Sequence, residues 1–545
     1  MTEKTGFRKW LPLSVLALTL FIIVLDTTII NVSIKAIIGD LHSNLKAVQW
    51  VITGYSLVLA AFTITGGRLG DIFGRKKMFL IGAIIFAIGS LFASRAHSAT
   101  WLFVSVSLVE ATGAAIMLPS TASLILSEYR GKDRAIAFGI YGAVAGAAAT
   151  IGPIVGGYLT TNYSWRWNYL INPCVVVVLL AGSFLIHEVH ERQPHVPDIV
   201  SILFSAIGLG GVVYGLIESS TYGWLKAKEP YDIFGGTYKL HGISICVFTI
   251  IVGLIFLGLF IWRQGSLEKR KKTPLVSLAL LTNAQFMAGT TTILVAVLSQ
   301  FGLVFAMPVF FQGLLGKDAF HSGLAFLPFS LAILVAAPIS GILVGKANVP
   351  SRWLIQLGLA FSVVGAVLIR QELAVTSTVS TFIPGLAIFG LGFGLAFSQL
   401  ANMTLSAVSV QQAGEASGVN NTFRQVGTSM GQALIGALLI SSLSTQLNKD
   451  VTASQIIPPA AKSQVAAAVA SSAESLGTTT PSSQHMPAAV TNEIIRIKND
   501  AIVHGAREAM FATSVAALIA LLVSTQLPKR IPGHGEDVDA PPAAG

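Results

Sequence analysis

Apolar runs long enough to cross about 30 Å of hydrocarbon, at 1.5 Å per helical residue, recur from end to end of this 545-residue chain, separated by short polar turns. Hydrocarbon tolerates only helices and closed barrels, and the length of these runs selects helices. The pattern places eight spans at about residues 10–38, 46–66, 77–94, 100–126, 133–160, 168–186, 199–217 and 241–262. Six more follow at about 282–314, 322–344, 352–369, 380–407, 413–442 and 505–527. The expectation is an all-α membrane protein of fourteen helices: two related six-helix bundles with an inserted pair, on the parallel-repeat plan of many secondary transporters. The expected divisions are residues 1–190 for the first bundle, 191–280 for the inserted pair, 281–530 for the second bundle and 531–545 for a tail of disordered composition. Similarity between the halves is faint. "GGRLGDIFGRKK" after the second span has only a degraded counterpart in "SGILVGKANVPSR" after the tenth.

Charge fixes an orientation. Only 11% of residues are charged, against about 25% in an ordinary soluble domain, and 53% are hydrophobic. Lys and Arg gather in alternate loops, at Arg75-Lys76-Lys77, Arg130 to Arg134 and Lys269 to Lys272, whereas the opposite loops carry scattered charges such as Arg95 and Lys317. Basic loops stay in the cytoplasm, so both termini are expected inside a cell membrane that the chain crosses many times. The same reading explains the net charge of +10 without a nucleic-acid partner. It leaves residues 443–504, an Ala/Ser-rich segment, outside, with Ile494, Ile495 and Ile502 suggesting a short amphipathic helix there. The first run is too long for a signal-peptide core and carries Asp26, so it is expected to remain as the first helix. Cys174 and Cys246 both fall in apolar runs, and no disulfide is expected. With no phosphate-binding loop, zinc-ligand spacing or nucleophile elbow, neither an enzyme nor a metal or cofactor is expected.

The candidate chemistry lies in polar residues set at membrane depth. Asp26 is near the middle of the first helix, where an ionised carboxylate costs about 2.5 to 3.5 kcal/mol even on the lenient insertion scale, so it must face a cavity or a partner. Arg424 lies roughly 16 Å into the thirteenth helix, too deep to reach the cytoplasm easily, and reads either as cavity-facing or as a tie within the second half. Glu415 reads as an acid at that helix's N-terminus, and Lys35 as a side chain stretching outward. Gly67, Gly70 and Gly74 permit close backbone packing beside Asp71, which can meet a helix N-terminus or a cation. In the fifth helix Gly146, Gly152, Pro153, Gly156 and Gly157 leave one side nearly bare, and Pro153 removes a backbone hydrogen bond. Asn31, Tyr55, Gln300, Phe393, Phe397 and Gln399 are candidates to line an apolar cavity with a few polar anchors.

The order of motifs resembles one family, the fourteen-helix drug:proton antiporters of the major facilitator superfamily. "LDTTIINVS", "QWVITGYSLVLAA", "GRLGDIFGRKK", "TIGPIVGGYL", "WRWNYLINP" and "GEASGVNNTFRQVGTSMGQALIG" follow one another over nearly the whole chain. The resemblance implies alternating access, with inward-moving protons exchanged for a small amphipathic substrate by a monomer in the bilayer. It implies that Asp71, Arg75 and Glu128 form and break pairs as a cytoplasmic latch, against the simpler reading of a basic turn that fixes orientation. It makes the fifth-helix pattern an antiporter signature, against ordinary small-residue packing. It gives Asp26 a proton or cation role, against a structural hydrogen bond.

The fourth helix departs from that family, whose pattern has an Arg followed three residues later by Gln. Here Ser107 and Glu110 stand instead. Asp26 and Glu110 are expected at similar depth, about 15 Å from the outer ends of their helices, and close together. Two acids brought together away from water do not both carry charge cheaply, so the pair would hold a proton and favour cationic substrates. The alternative is that Glu110 replaces Gln as an isostere. The rivals for the whole chain are a dedicated exporter of one metabolite, peptide or lipid, a proton symporter for uptake, and a membrane sensor that transports nothing.

Overall fold

The computed structural model describes residues 9–43, 45–187, 198–227, 231–233, 236–238, 243–409, 412–458, 462 and 488–529. Seven long helices open the described chain: α1 (Leu11–Asp40), α2 (Leu45–Phe73), α3 (Arg75–Ser94), α4 (Ala99–Glu128), α5 (Gly131–Asn162), α6 (Arg166–Gly182) and α7 (Ile199–Tyr222). Seven more complete it: α8 (Ile245–Lys269), α9 (Ala284–Gly313), α10 (Leu327–Gly345), α11 (Ser351–Glu372), α12 (Ile383–Leu405), α13 (Ala413–Ala453) and α14 (Ala488–Val523). Thirteen carry apolar windows long enough to cross a bilayer, and the remaining one, α5, is a 32-residue helix packed against α1 and α10. The protein is thus an all-α, multi-pass membrane protein with two six-helix bundles and an inserted pair. One large apolar cluster draws chiefly on α1 to α6, and a second on α9 to α14.

The inserted pair α7 and α8 pack on each other, and α7 packs against α2; a short hairpin of β1 (Tyr231–Ile233) and β2 (Gly236–Tyr238) lies between them in the chain. At the start of α7, Asp198 caps the helix and accepts two hydrogen bonds from Arg263 of α8, at 3.0 and 3.1 Å. That guanidinium holds the Asp198 carboxyl down at about 2.

The structure narrows the segment between α13 and α14. α13 continues to Ala453 and α14 already begins at Ala488, so the amphipathic stretch is the first part of α14 rather than a separate short helix. Ile494 and Ile502 face inward at 8% and 4% exposure, while Ile495 is 46% exposed. Extending an existing helix costs less than nucleating a new one, and the Arg496–Glu493 and Arg496–Asp500 pairs support its polar side. Most of the segment between these helices, and the tail, lie outside the described residues. Cys174 and Cys246 are free.

The repeat that is faint in sequence is clear in the contacts. A Cβ on Gly82 of α3 would stand 2.9 Å from the Gly113 carbonyl of α4, and one on Gly89 would stand 2.5 Å from the Glu110 nitrogen. In the second half a Cβ on Gly358 of α11 would stand 2.5 Å from the Gly392 carbonyl of α12, and one on Gly365 would stand 2.5 Å from the Phe389 nitrogen. Spacing and partners match, so Gly113 corresponds to Gly392 and Glu110 to Phe389. The halves meet by the same rule: Gly67 of α2 lies against Gly414 and Gly418 of α13, and Gly341 of α10 against Ala135 and Ile136 of α5. Both contacts lie towards the end of the bundle that carries the basic loops. There Gly74, at φ 102°, makes the turn from α2 into α3, a conformation a residue with a side chain rarely adopts.

A Cβ at Gly67 falls inside van der Waals distance of the Gly414 carbonyl, so Gly67→Val should part α2 from α13 at the basic end. Spin labels on Phe73→Cys and Ser409→Cys, both exposed positions, in a Cys174→Ser/Cys246→Ser background should then report a new population at longer distance. An unchanged distance distribution would show that this contact does not hold the face closed.

Candidate functional site

Asp71 ties the two halves together at the basic end. Near the end of α2, its carboxylate accepts from Arg75 Nη2 at 3.0 Å and Nε at 3.1 Å. It also accepts from the Gly414 and Glu415 backbone N–H groups at 3.1 and 2.9 Å. Those two N–H groups open α13, where no earlier turn supplies acceptors and the helix dipole favours an anion. Glu415 itself accepts from the Ser277 backbone and lies 3.8 Å from Arg68 Nη1. Arg68 and Glu415 are therefore part of this cluster, which sequence reasoning had confined to Asp71, Arg75 and Glu128. Glu128 stands apart from this cluster in this structure: its carboxylate accepts from the His187 backbone at 2.6 Å, joining the end of α4 to the end of α6. A half-buried carboxylate at the end of α4 meets an N–H of the neighbouring chain segment, and sequence carries no sign of which one that is.

A second polar cluster lies inside the first half. The Asn172 side-chain amide, on α6, donates to Asp26 Oδ1 of α1 at 2.9 Å, to Glu110 Oε1 of α4 at 3.0 Å and to Ser90 Oγ of α3 at 2.7 Å. Asp26 and Glu110 are thus brought together, as their depths imply. Glu110 is fully buried and Asp26 keeps 6% exposure. The Ser90 hydroxyl has one hydrogen for two acceptors, the Tyr169 carbonyl at 3.0 Å and the Glu110 carboxylate. Three acceptors therefore compete for the two hydrogens of the Asn172 amide, and among the described residues Glu110 Oε2 and Asn172 Oδ1 remain buried without partners. Glu110 is set by local backbone: residues Phe103–Glu110 form a π-helical segment within α4, and Gly89 gives that backbone room to lie against α3.

Ser107, where the resembling family carries Arg, is fully buried and donates to the Val51 carbonyl at 2.8 Å, while Gly54 of α2 closes over it. A guanidinium has no room at this position. The fifth-helix glycines divide between two tasks. Gly146 meets Ile333 of α10, across the halves, whereas Gly152 and Gly156 meet Thr28 and Ile29 of α1, within the first half and within a turn of Asp26. Gly157 has only an ordinary contact with Phe320 at 3.9 Å.

The cavity candidates also divide. Phe393 and Phe397 stack on each other at 5.0 Å, Phe397 and Gln300 are half-buried, and Tyr55 is buried, with its hydroxyl unpartnered among the described residues and both acids in its electrostatic neighbourhood. Gln399 is a correction: it is fully buried and donates to Ser340 at 3.0 Å, tying α12 to α10 instead of lining a cavity. The side chains of Asn31, Lys35 and Pro153 lie outside the described residues. Arg424 is half-buried, has no carboxylate within ion-pairing distance among the described residues, and interacts electrostatically with Tyr141 of α5. Asn172 escaped notice in sequence because a single amide inside "WRWNYLINP" has no spacing that distinguishes a bridge from packing. Its place six residues after Arg166, inside a membrane span, is the only signal.

A profile described as the Major Facilitator Superfamily matches residues 16–432. The probable actinorhodin transporter of Streptomyces coelicolor is 30% identical over 478 residues, covering 86% of this chain and 78% of that protein. The multidrug resistance protein Stp of Mycobacterium tuberculosis is 29% identical over 441 residues, 80% of this chain and 77% of that one. The multidrug efflux pump LfrA of Mycolicibacterium smegmatis is 28% identical over 499 residues, 91% of each. Among solved structures, that of the human organic anion transporter MFSD10 superposes with a TM-score of 0.56 at 10% identity, over 95% of this chain and 99% of that one.

Removing the bridging amide leaves two buried acids without their shared donor, so Asn172→Ala should cost about 1 to 3 kcal/mol in stability, read as a lower midpoint in thermal unfolding. The loss should shrink in a Glu110→Leu background, and strictly additive losses would show that the amide and Glu110 do not interact. Ser107→Arg should fail to accumulate in the membrane, since overpacking of even a few methylenes costs about 1 to 3 kcal/mol. Normal amounts of folded protein would show that α2 can yield there.

Proposed function

This chain belongs to the major facilitator superfamily, and from that premise we propose that it exports small amphipathic drugs in exchange for protons by alternating access. It is a membrane transporter and not an enzyme. The relatives that carry drug resistance and efflux in their names support export as the direction. The single observation that supports proton coupling is the shortage of donors around Asp26 and Glu110.

An amide with two hydrogens faces three acceptors, and no cation is bonded to the acid pair among the described residues. A proton on the pair supplies the missing donor and removes a charge that burial makes costly. Asp26, with its residual exposure, is the member that meets water, and Glu110 lies behind it. A cationic group of a substrate stabilises the ionised pair while protons stabilise the neutral pair, so the two ligands compete, and competition between them is what antiport requires.

Access is governed by the Asp71 cluster. With its carboxylate on the N–H groups that open α13, the basic end is shut. We place that end in the cytoplasm of a cell membrane, with both termini inside, on the strength of the basic loops. Opening it separates Asp71 from α13 and Arg68 from Glu415, and exposes the cavity inward. Each pH unit of gradient supplies about 1.4 kcal/mol per proton, and each 100 mV about 2.3 kcal/mol per charge.

Rhodamine 6G movement in proteoliposomes, with the pH gradient and the voltage collapsed separately, tests the reading. Uphill transport should fall on collapse of the pH gradient. Asp26→Asn should abolish uphill transport while retaining downhill exchange, and Glu110→Gln should shift the pH dependence of dye binding. Uphill transport by Asp26→Asn at the wild-type rate would remove Asp26 from the mechanism.

A further inference from the structure

Between the inserted pair and the second half the chain runs from Arg270 to Asn283, and in its middle four consecutive backbone N–H groups each meet a side-chain acceptor. Leu275 and Val276 donate to Gln264 Oε1 of α8 at 2.7 and 3.3 Å, and Leu278 donates to Glu268 Oε1 of α8 at 2.8 Å. Ser277, between them, donates to Glu415 Oε1 of α13, the acid that faces Arg68. Leu275, Val276 and Leu280 are sealed at 2%, 1% and 3% exposure in the apolar cluster that draws chiefly on the first half.

A linker that only joins two bundles needs none of this, since its N–H groups can turn to water. Here the acceptors are themselves fixed in place. Gln264 is fully buried and gives its amide hydrogens to Ser201 Oγ of α7, at 2.9 Å, and to the Phe260 carbonyl, at 3.3 Å, which sets the direction of its oxygen. The Ser201 hydroxyl donates to Asp198 at 2.7 Å, and Asp198 holds Arg263, so a chain of contacts runs from the tie between α7 and α8 to residues 275–278. α7 packs more extensively against α2 than against α13, so this support belongs mainly to the first half. Past the segment, Asn283 donates to the Ala407 carbonyl at 3.2 Å and Gln285 to the Met403 carbonyl at 2.9 Å, at the end of α12, so the chain from Asn283 onward belongs to the second.

We propose that residues 275–282 are a strap that fastens the basic end shut, and that the inserted pair is its mount: on opening, the strap stays with the first half and releases Glu415. The proposal rests on the alternating-access reading and gives α7 and α8 a task in it. Glu415 carries two contacts across the seam, one to Arg68 of α2 and one to the strap, and both part together. Without Gln264 the strap keeps its place only with two N–H groups orphaned. Once Glu415 has let go, the strap can lift into water and satisfy them, so the penalty falls on the closed form.

Spin labels on the full chain in lipid nanodiscs, in a Cys174→Ser/Cys246→Ser background, test this. Labels at Phe73→Cys and Ser409→Cys read the gate, and labels at Phe73→Cys and the exposed Ala279→Cys read the strap against the first half. Gln264→Leu should raise the ratio of long-distance to short-distance populations between 73 and 409 by at least about five-fold. Glu268→Ala should raise it as well, and Ser201→Ala, acting through Gln264, by a smaller factor. In Gly67→Val the distance from 73 to 279 should hold while that from 73 to 409 lengthens. If Gln264→Leu does not fold, Glu268→Ala and Ser201→Ala decide. Unchanged distances between 73 and 409 in folded variants, or a distance from 73 to 279 that lengthens in step with the gate, overturn the strap. Failure of the wild type to move rhodamine 6G along an imposed gradient in proteoliposomes overturns the export reading instead, and the distance measurements still decide the strap.

Discussion

In hydrocarbon an apolar side chain gains nothing by facing another helix rather than a lipid tail, so helices must be held by close backbone approach and by a few polar contacts. The rest of this structure depends on that constraint. Glycines occur where two helices come within backbone distance, and the same placements recur in both halves: Gly82 and Gly89 of α3 against α4, Gly358 and Gly365 of α11 against α12, Gly67 of α2 against α13, Gly341 of α10 against α5. Because these contacts are steric, they tolerate wide divergence of the other residues. The repeat therefore survives in the packing after fading from the sequence.

Where the halves differ, the chemistry is found. Glu110 of α4 corresponds to Phe389 of α12, a fully buried apolar ring. Asp71, one turn beyond Gly67, corresponds to Gly345, one turn beyond Gly341, which meets the Lys132 carbonyl with no side chain of its own. Away from the basic end, the first half holds the Asp26–Glu110 pair and the second half holds Arg424. A two-fold scaffold has become electrically lopsided across its own interface.

The fourteen helices were legible because bilayer thickness imposes a length that the apolar runs obey. The nearness of Asp26 and Glu110 was legible from depth alone, since 1.5 Å per residue places both at one level. What joins them was not. Asn172 comes from a third helix, and helix rotation is invisible to counting. The partners of Glu128 and Gln399, His187 and Ser340, were illegible for the same reason: each comes from an element whose direction of approach the sequence does not encode. The edges of α13 and α14 were misjudged because hydropathy marks where a helix can leave the membrane and not where it ends.

Among the described residues the acid cluster draws on α1, α3, α4 and α6, and nothing in it comes from the second half. Gly89 pins the Glu110 backbone against α3, so the cluster is carried as cargo by the bundle that contains it. On the proposed cycle, rocking changes none of its internal distances. What alternates is the reservoir to which it is wetted, first one side of the membrane and then the other. The bond-making chemistry is then insulated from the mechanics, and drift at the interface between bundles can retune substrates or turnover without disturbing the proton site.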